Sequence, residues 1–527
     1  NVTNKKIINY DWDNNEVREK RTPNSAERRY QKTLSKNFTL YADYKKNFND
    51  RHDLSVMVGT SHESENYDRF TAKRINFDQQ ENMSLQLGSA QDQNAWSEGN
   101  QWTINSFFSR VNYTFANKYV IEGTIRADGS SRFDPDHRWG WFPGVNAAWR
   151  VGEEGFMKRL GWFEDLKVRA SYGEMGNQSG IGLYDYIQLI SLSNDYYPFG
   201  AGVKGQMATS GNIISTSRTW ETIQTTNVGF DFSTLNNRLY GSFDYFWKEN
   251  KNMLIPKTYP SMLGADAPST NSGHLSIHGW EISLGWRDQI KDFSYSVRFN
   301  ISDAKNKVVD RVGSNLIKLG NNETPTGYPL NSYFGYEFDG IIQNEQELEA
   351  YKSRFSEGGI PGDLSVGDAM YKDLDGDGKL SVLGDGKEGS GDVKYLGDKN
   401  PRYNFGFNLS MAWKGFDLSA FIQGVGRRTM FLEGESRCPM PEAWYQSAEY
   451  WYGKTWTPER TDAQYPAITL KDKRNYNYYV STNTKFNVAY ARLKNLQFGY
   501  TIPQTLTSKA GLQKVRVYFS GEDLFEV

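Results

Sequence analysis

The residues best spaced for metal chemistry lie in the segment YKDLDGDGKLS, residues 371–381. Asp373, Asp375 and Asp377 occupy positions 1, 3 and 5 of a calcium loop. Gly378 stands at position 6, where such loops turn sharply. Alternating carboxylates before a glycine turn point to a hard cation with oxygen ligands, and Ca²⁺ is the cation that this pattern usually holds.

The second half of this loop departs from the calcium pattern. Ser381 stands at position 9, but position 12, normally a bidentate Glu, is Gly384, and Asp385 follows it. The flanking sequences AMYK and KEGSGD are not amphipathic helices, which argues against a calcium sensor. Clustered carboxylates repel one another without a cation, so we predict a Ca²⁺ site; a solvated Asp/Gly turn is the alternative. The candidate ligands are Asp373, Asp375, Asp377, Ser381 and Asp385.

No other motif in the sequence indicates a catalytic site. GDGKEG, residues 384–389, matches a dinucleotide-binding glycine pattern, but SGDVKYLGD follows it where a helix is needed. His274 and His278 lie in a strand-like segment, which separates them by about 13 Å, too far to share a metal. H-E-x-x-H and G-x-S-x-G are absent, and a single cysteine, Cys438, excludes a disulfide framework. We predict no catalytic residue, no cofactor-binding residue and no enzymatic activity.

The composition combines a polar average with an excess of aromatic residues. The 527 residues include 61 Lys plus Arg against 63 Asp plus Glu, and no basic run suggests nucleic acid as a partner. Aromatic residues make up 15% of the chain, while mean hydropathy is −0.71. No run approaches the 18 to 20 or so apolar residues of a membrane-spanning helix, and the first residues lack the apolar core of a signal peptide. Membrane β-barrels give the same weak hydropathy signal.

Apolar and polar residues alternate with a period of two along the whole chain. In RVNYTF, Val111, Tyr113 and Phe115 fall on one face, and polar residues separate them. The pattern recurs in FTLYADY, YVIEGTIRAD, NVGFDFS, LYGSFDYF, EISLGW, FSYSVRFNI, FGFNLSMAW and VRVYFSG. It predicts about sixteen strands of about ten residues each, the length that a tilted membrane strand needs.

The connections alternate between two kinds. Tight polar connections occur at 115–119, 234–239, 287–293 and 413–416. Long connections rich in Gly, Asp, Trp and Tyr occur at 174–218, 303–332, 343–394 and 424–484. Short turns at one end and long loops at the other predict an all-β fold, a transmembrane antiparallel up-and-down β-barrel with long extracellular loops.

The aromatic residues favour a membrane barrel over a soluble sandwich, for which alternation alone is equally typical. Many of them fall at strand ends, as the girdles at the two membrane interfaces require. These include Tyr113, Phe115, Tyr119, Trp286, Trp413 and Phe416. Two loop helices are also predicted, one in NEQELEAYKSRF after a capping Asn344 and one in PEAWYQSAEYWYG, residues 441–453.

Aromatic residues in the predicted loops are the candidates for substrate contact. Tryptophan and tyrosine rings stack on sugar rings and on peptide side chains. Loop packing, contact with a partner and the membrane girdle are the alternatives. The candidate substrate-binding residues are Trp96, Trp139, Trp141, Tyr196, Tyr197 and Trp444. In RADGSSRF, by contrast, Arg126, Asp128 and Arg132 predict an ion-paired turn at a barrel rim.

Several long segments together resemble one family. They are RADGSSRFDPDHRWGWFPGVNAAWRVGEEGFMK (126–158), LKVRASYGEMGN (166–177), WETIQTTNVGFDFSTLNNRLYGSFDYFWKENKNML (220–254), PGDLSVGDAMYKDLDGDGKLS (361–381), LGDKNPRYNFGFNLSMAWKGFDLSAFIQGV (396–425), AYARLKNLQFGYTIPQ (489–504) and VRVYFSGEDLF (515–525). In this order they resemble the barrel of the SusC/RagA-like TonB-dependent outer-membrane transporters of Bacteroidota. The matches cover roughly the final four-fifths of the chain.

The resemblance implies a barrel of about twenty-two strands with an N-terminal plug, which imports oligosaccharides or peptides across the bacterial outer membrane. It implies a SusD-like surface lipoprotein as a hinged lid and the TonB–ExbB–ExbD complex as the source of force. Residues 1–527 are expected to be the barrel portion, without the plug domain and the last strand. A soluble secreted protein that binds or degrades glycans and a passive porin are the alternatives.

Overall fold

The computed structural model describes the chain except for a set of short segments. These are residues 1, 4–5, 11–16, 22–24, 78–83, 92, 194–197, 200–202, 205–206, 211–212, 257–261, 263–267, 312–318, 321–323, 384–390, 441–445 and 470–471. No helix in the described part of the chain has both the length and the apolar character needed to cross a membrane.

Fourteen long strands of 12 to 24 residues form one antiparallel sheet in the described residues. They are β1 (Ser25–Phe48), β2 (His52–Ile75), β3 (Gln93–Phe115), β4 (Tyr119–Ser130), β5 (Trp139–Arg150), β6 (Asp165–Asn177), β7 (Glu221–Thr234), β8 (Leu239–Pro256), β9 (Ser269–Ile290), β10 (Phe293–Asp310), β11 (Arg402–Trp413), β12 (Phe416–Arg427), β13 (Tyr490–Ile502) and β14 (Val515–Glu526). A two-residue strand, Val2–Thr3, pairs with the start of β1.

Each long strand pairs with the next long strand along the chain, so the sheet is an up-and-down meander. At one end the connections are short, as at 49–51, 116–118, 235–238, 291–292 and 414–415. The opposite end, called the long-loop end below, carries 178–220, 311–401 and 428–489. Left-handed backbone at Ala116 and Asn117 closes one of the tight turns, a conformation that Asn tolerates better than most residues. The structure confirms the predicted all-β, antiparallel up-and-down fold.

The strand count and lengths differ from the sequence prediction of about sixteen strands of about ten residues. Some short strands pair in separate two-stranded sheets instead of joining the large sheet. These pairs are Lys6–Tyr10 with Val17–Arg21, Ile190–Ser193 with Met207–Ser210, Pro198–Phe199 with Val203–Lys204, Ser332–Tyr336 with Val393–Asp398, Phe338–Ile341 with Ala369–Tyr371, and Thr429–Phe431 with Lys485–Asn487. β1, β2 and β3 are longer than predicted because they continue past the end of β4.

The helices are short, and one of the two predicted loop helices forms. They are α1 (Gly155–Leu160), α2 (Glu345–Arg354), α3 (Asp472–Asn477) and α4 (Gln504–Thr507). Asn344 caps α2 as predicted, accepting a hydrogen bond from the Glu347 amide at 2.9 Å. The predicted helix at 441–453 was wrong in its described part, which holds only a single 3₁₀ turn at Glu449–Trp451. Residues 441–445 lie outside the described residues.

The two faces of the sheet differ in chemistry, as the period-2 pattern predicts. Residues paired across neighbouring strands share a face, so the register gives continuous rows. One row of the apolar face runs through Tyr44, Val56, Val111, Gly123 and Val145, and another through Phe293, Trp413, Phe416, Tyr500 and Val517. Much of this face is exposed. At the turn end, Phe115, Tyr119 and Trp149 stack in a row with ring centroids 6.3 and 6.4 Å apart.

The opposite, polar face carries hydrogen-bonded and ion-paired side chains. Glu122 on β4 accepts hydrogen bonds from Asn112 on β3 and Asn146 on β5, at 3.2 and 3.1 Å. Arg169 on β6 bonds both oxygens of Asp231 on β7 and both oxygens of Asp244 on β8, at 2.8 to 3.0 Å. The sheet is thus held by backbone pairing and polar ties, with little apolar core of its own.

Within the described residues, the largest buried core lies at the long-loop end instead. Described residues of the connections 311–401 and 428–489 fold together into a compact unit, called the loop cap below. Its core contains Tyr336, Ile342, Leu348, Tyr351, Phe355, Leu364, Ala369, Met370, Tyr371, Leu380 and Tyr476. The loop cap therefore has an interior of its own and behaves as a folded part of the protein.

Candidate binding region at the long-loop end

Three tyrosines in the loop cap tie its two connections together. The Tyr351 hydroxyl on α2 lies 2.7 Å from the Tyr476 hydroxyl on α3 and accepts a hydrogen bond from the Tyr371 amide at 2.9 Å. The Tyr371 hydroxyl donates to the Tyr476 carbonyl at 2.8 Å. Burial raises the pKa of Tyr371 and of Tyr476, so both phenols stay protonated donors at any physiological pH.

A buried carboxylate makes a second link between the two connections. Asp368 is 1% exposed and accepts hydrogen bonds from the Asn477 side chain at 2.8 Å and from the Ser365 amide at 2.8 Å. Lys473 lies 3.3 Å from the same carboxylate and compensates its charge. Asn477 in turn accepts from the Ala369 amide at 2.9 Å. Every polar group in this contact is thus paired, as burial requires.

The predicted calcium loop lies at the surface of the loop cap, against the end of α2. Carboxylate oxygens of Asp373, Asp375 and Asp377 lie within 4.8 Å of one another. Asp373 accepts from the amides of Gly376 and Gly378 at 2.6 and 3.0 Å. Both glycines have positive φ, which lets the chain fold back around that carboxylate. The structure thus brings together the three carboxylates that the sequence singled out.

The structure does not place the other two predicted ligands, Ser381 and Asp385, in the carboxylate cluster of the described residues. The Ser381 amide donates to Asp392 at 2.7 Å, which ties the end of the loop down. Asp385 lies outside the described residues.

Asp392 organises the loop, and the sequence patterns missed it. It is fully buried and accepts from the amides of Leu374 at 2.6 Å and Ser381 at 2.7 Å, so it clamps both ends of the loop. Burial raises the pKa of Asp392, and the negative charges of nearby Asp375 and Asp373 raise it further. The two amide hydrogen bonds act in the opposite direction and lower it. Asp392 stands beyond position 12 of the loop pattern, so spacing gave no signal for it.

Calcium remains a prediction, with a direct measurement to check it. We expect Ca²⁺ to slow proteolysis of the segment 371–381 and a chelator to reverse this, because a cation relieves the repulsion among the three carboxylates. Replacing Asp373 and Asp377 by alanine should abolish the effect of Ca²⁺ while the sheet stays folded. Asp363→Ala, in the same connection but outside the cluster, is the matched control. Equal proteolysis with and without Ca²⁺ in the unaltered protein would contradict the prediction.

The described tryptophans predicted to bind substrate lie on opposite faces of the sheet. Trp96 projects on the polar face of β3, opposite Thr71, and is 41% exposed. Trp139 and Trp141 on β5 lie on the apolar face, 45% and 66% exposed, in register with Gly129 and Ala127. Trp139 stacks on Phe107 of β3 at 6.0 Å. These positions favour a girdle role for Trp139 and Trp141 and leave Trp96 as a substrate candidate. Tyr196, Tyr197 and Trp444 lie outside the described residues.

The RADGSSRF turn forms one of the predicted ion pairs. Arg126 Nε bonds both carboxylate oxygens of Asp128 at 2.8 and 2.9 Å, and its guanidinium also reaches Ser106 at 2.8 Å. Arg132 does not join this pair. It donates to the Ile181 carbonyl at 2.9 Å, and its guanidinium lies 5.7 Å from the centre of the Trp102 ring. The turn therefore fastens the rim of the sheet to the connection 178–220.

A charged bridge on the surface of the loop cap joins three of its segments. Glu337 lies between two short strands and accepts from Lys372 at 2.7 Å and from Lys394. These two hydrogen-bonded ammonium groups lower the pKa of Glu337 to about 2, so the bridge persists through the physiological range and is lost only in strong acid. Because the group is solvent-exposed, its role is mainly to fix geometry.

The fold and the long-loop end together define a class of protein. An up-and-down antiparallel sheet with one apolar, aromatic face, one polar face and folded loops at one end is typical of outer-membrane transport barrels. The sequence profile described as "TonB dependent receptor-like, beta-barrel" matches residues 3–524. The chain belongs to this family of TonB-dependent receptor β-barrels, whose members are outer-membrane receptors and transporters. It is therefore not an enzyme, as predicted.

Individual relatives agree with this assignment and with the predicted resemblance. The chain is 31% identical over 509 residues to TonB-dependent receptor P3 of Formosa agariphila, covering 93% of this chain and 47% of that protein. It is 26% identical over 503 residues to TonB-dependent receptor SusC of Bacteroides thetaiotaomicron, covering 88% of this chain and 44% of SusC. The chain thus spans about half the length of the curated relatives it matches.

A solved structure shows the same fold. The chain superposes on a chain of the RagAB peptide transporter with a TM-score of 0.78 and 22% identity, covering 96% of this chain and 53% of that chain. Two further structures of the RagAB peptide importer, described as 'closed-closed' and 'open-open', give TM-scores of 0.78 and 0.76. At this identity the likeness establishes the fold alone.

Proposed function

We propose that this chain is part of a transporter that imports a large nutrient, an oligosaccharide or a peptide, across the bacterial outer membrane in a TonB-dependent manner. The observation that carries the proposal is the family match over residues 3–524, together with 26% identity to SusC. A SusD-like surface lipoprotein acts as the lid, and the TonB–ExbB–ExbD complex supplies the force.

The two faces of the sheet support this role physically. The apolar face, with exposed residues such as Phe107, Ile121 and Phe498, meets outer-membrane lipid. The polar face, with Glu122 and the Arg169 network, lines a hydrated path for a polar cargo. The strands cross the membrane repeatedly, and the long-loop end faces the outside of the cell.

The loop cap and the loop aromatics supply the first contact with cargo in this proposal. The loop cap has a rigid interior, so its surface can hold a fixed shape at the mouth of the path. Trp96 lies on the polar side and offers a ring for stacking, and Tyr196, Tyr197 and Trp444 remain proposed contacts. Both glycans and peptides use such rings, so the growth experiment below assigns the cargo class.

The test is growth on defined nutrients. In the bacterium that carries the protein, deleting its gene should abolish growth on one class of oligosaccharide or peptide supplied as the sole source, and the intact gene should restore it. Deleting the TonB system or the gene of the proposed SusD-like lipoprotein should give the same loss, because force and lid act in the same step. Glucose, which is small enough for general porins, is the control nutrient.

Each alternative predicts a different result. Uptake that survives loss of TonB, with ion conductance in planar bilayers, would make the protein a passive porin. Extraction without detergent would make it a soluble glycan-binding or glycan-degrading protein, and heat-modifiable migration in gels would argue against that. Either of the first two results would overturn the proposal.

A further inference from the structure

A short helix at the turn end of the sheet exposes apolar side chains. α1 (Gly155–Leu160) lies in the connection 151–164 between β5 and β6. Phe156 and Leu160, one helical turn apart, are each 51% exposed, and Trp162, just beyond the helix, is 68% exposed. The hydrophobic cores of the described residues include none of these three side chains. Contiguous exposed apolar surface of this kind marks contact with a membrane or with another protein.

The start of this connection is fastened to the apolar face of the sheet. The Glu154 carboxylate, directly before α1, accepts hydrogen bonds from the Tyr119 hydroxyl at 2.6 Å and from the Trp149 indole at 3.2 Å. Tyr119 and Trp149 are paired residues of β4 and β5. With Phe115 they form the stacked row of rings at the turn end of the apolar face. The helix therefore begins on the apolar side of the sheet.

The end of the connection is fastened to the same face. The Phe163 ring packs edge-on against Phe232 of β7, with ring centroids 6.3 Å apart. The Trp162 carbonyl accepts a hydrogen bond from the Thr234 hydroxyl, also on β7. The register through β6 places Phe232 and Thr234 on the same face as the stacked row of β4 and β5. Both ends of the helical segment are thus held on the apolar side.

We propose that residues 155–162 lie in the lipid–water interface of the periplasmic leaflet of the outer membrane, with Phe156, Leu160 and Trp162 inserted among the lipid chains. The attachments at both ends place these residues beside the apolar face of the strands, which meets lipid in the proposed function. The membrane that covers this face extends to α1 as well, so the partner is phospholipid. The inference rests on that membrane position of the sheet and not on the identity of the cargo.

The basic side chains of α1 fit a layer of lipid headgroups. Lys158 and Arg159 are both exposed, and Lys158 is ion-paired with Glu153 at 2.6 Å. Arg159 Nε donates to the Gly155 carbonyl at 3.2 Å, and within the described residues no hydrogen bond occupies its two terminal nitrogens, which can bind a lipid phosphate. Helices that lie in a membrane interface combine lysine and arginine with phenylalanine, leucine and tryptophan in this way.

This lipid contact fixes the depth of the turn end in the membrane. Tryptophan prefers the level of the headgroups, so Trp162 adds a ring to the girdle that Phe115, Tyr119 and Trp149 form at this end. The hydrogen bonds of Glu154 connect α1 to that girdle. The connection between β5 and β6 therefore serves as an interfacial anchor for the strands on either side of it.

The test uses electron paramagnetic resonance of a nitroxide label at single positions of the full-length protein, in vesicles of phosphatidylethanolamine and phosphatidylglycerol. Labels on Phe156→Cys and Leu160→Cys should be relaxed more by oxygen, which dissolves in lipid chains, than by a water-soluble nickel complex. Phe107→Cys, on the apolar face, provides the lipid reference, and Asp292→Cys, in a tight turn at the same end as α1, provides the water reference. The unaltered protein, treated in the same way, gives the background from Cys438.

The two relaxing reagents separate lipid, water and protein as the surroundings of α1. Labels at positions 156 and 160 that behave like the label at position 292 would overturn the proposal. Labels that are shielded from both reagents would indicate contact with protein and would overturn it as well. A label at position 107 that behaves as water-exposed would contradict the membrane position of the sheet, and with it both the proposed function and this inference.

A second set of variants tests whether the apolar side chains hold the segment in the membrane. With the label on Leu160→Cys, adding Phe156→Ser and Trp162→Ser should lower the ratio of oxygen to nickel relaxation severalfold, because two of the inserted side chains are lost. Ile290→Ser with Trp413→Ser is the matched control, since these residues are 59% and 51% exposed on the apolar face at the same end but lie on other strands. An equal ratio in the two double variants, with the same heat-modifiable migration, would refute insertion of α1.

Discussion

Tyr371→Ala is expected to unfold the loop cap while the sheet stays paired. Tyr371 is fully buried, its ring packs edge-on against Tyr476 at 5.2 Å, and its hydroxyl donates to the Tyr476 carbonyl. Removing a large buried ring leaves a cavity and costs about 3 to 5 kcal/mol. That cost approaches the whole stability of a small folded unit, so we expect loss of the cap and not a local adjustment.

Limited proteolysis in native outer membranes measures this effect. In the unaltered protein the cap should resist cleavage, and in the Tyr371→Ala protein new cuts should appear between 331 and 401 and between 446 and 489. Tyr452→Ala is the matched control, because Tyr452 belongs to the same cap but is 90% exposed. Equal cleavage in both variants would show that the two connections do not fold as a unit.

A smaller change at the same position tests the hydrogen bond alone. Tyr371→Phe keeps the ring and leaves the Tyr476 carbonyl without this donor, which should cost about 1 kcal/mol. The cap should then stay resistant to protease at low temperature and lose resistance at a lower temperature than in the unaltered protein. This graded result would separate packing from hydrogen bonding.

Arg169→Ala is expected to destabilise the sheet more than any other single substitution among the polar ties described above. It would leave Asp231 and Asp244 close together on the polar face without the guanidinium that binds both. Removing one partner of a fully buried charge pair costs about 3 to 5 kcal/mol. All three side chains here are partly exposed to solvent, so we expect about 2 to 3 kcal/mol.

The midpoint of the heat-modifiable shift in gels measures this loss. It should fall by several degrees in Arg169→Ala. It should recover when Asp231 and Asp244 are also replaced by asparagine, because the repulsion between the two carboxylates is then gone. Arg298→Ala is the matched control, since Arg298 also lies in the sheet but makes a single side-chain hydrogen bond within the described part of the chain, at 3.3 Å to the Tyr240 hydroxyl. An unchanged midpoint in Arg169→Ala would show that backbone pairing alone holds these strands.

The calcium-like loop shows which parts of a site can be predicted from the spacing of residues in the sequence. Asp373, Asp375 and Asp377 were picked from their alternate positions, and the structure places their oxygens within 4.8 Å. Such a short loop folds by local turns, so spacing alone is informative. Asp392 closes the same loop from further along the chain, and its role depends on the fold of the whole connection.

The tryptophans show the opposite case. Trp96, Trp139 and Trp141 were grouped as loop aromatics, but all three lie in strands, on two different faces. A one-residue difference in strand position moves a side chain to the other face, so small errors in strand boundaries change the inferred role. The register with β4 places Trp139 and Trp141 on the apolar face.

The sequence by itself determined the sheet, its up-and-down order, its two faces and the family. These follow from a period of two and from turn residues, which act between near neighbours in the chain. Only the tertiary structure decided that the connections 311–401 and 428–489 form one cap, through Tyr351 and Tyr476, 125 residues apart. Only the tertiary structure showed that β3 extends beyond the end of β4, so that residues 93–103 of β3 lack β4 as a neighbour. Both depend on contacts between distant residues, and no local pattern encodes the distance between them.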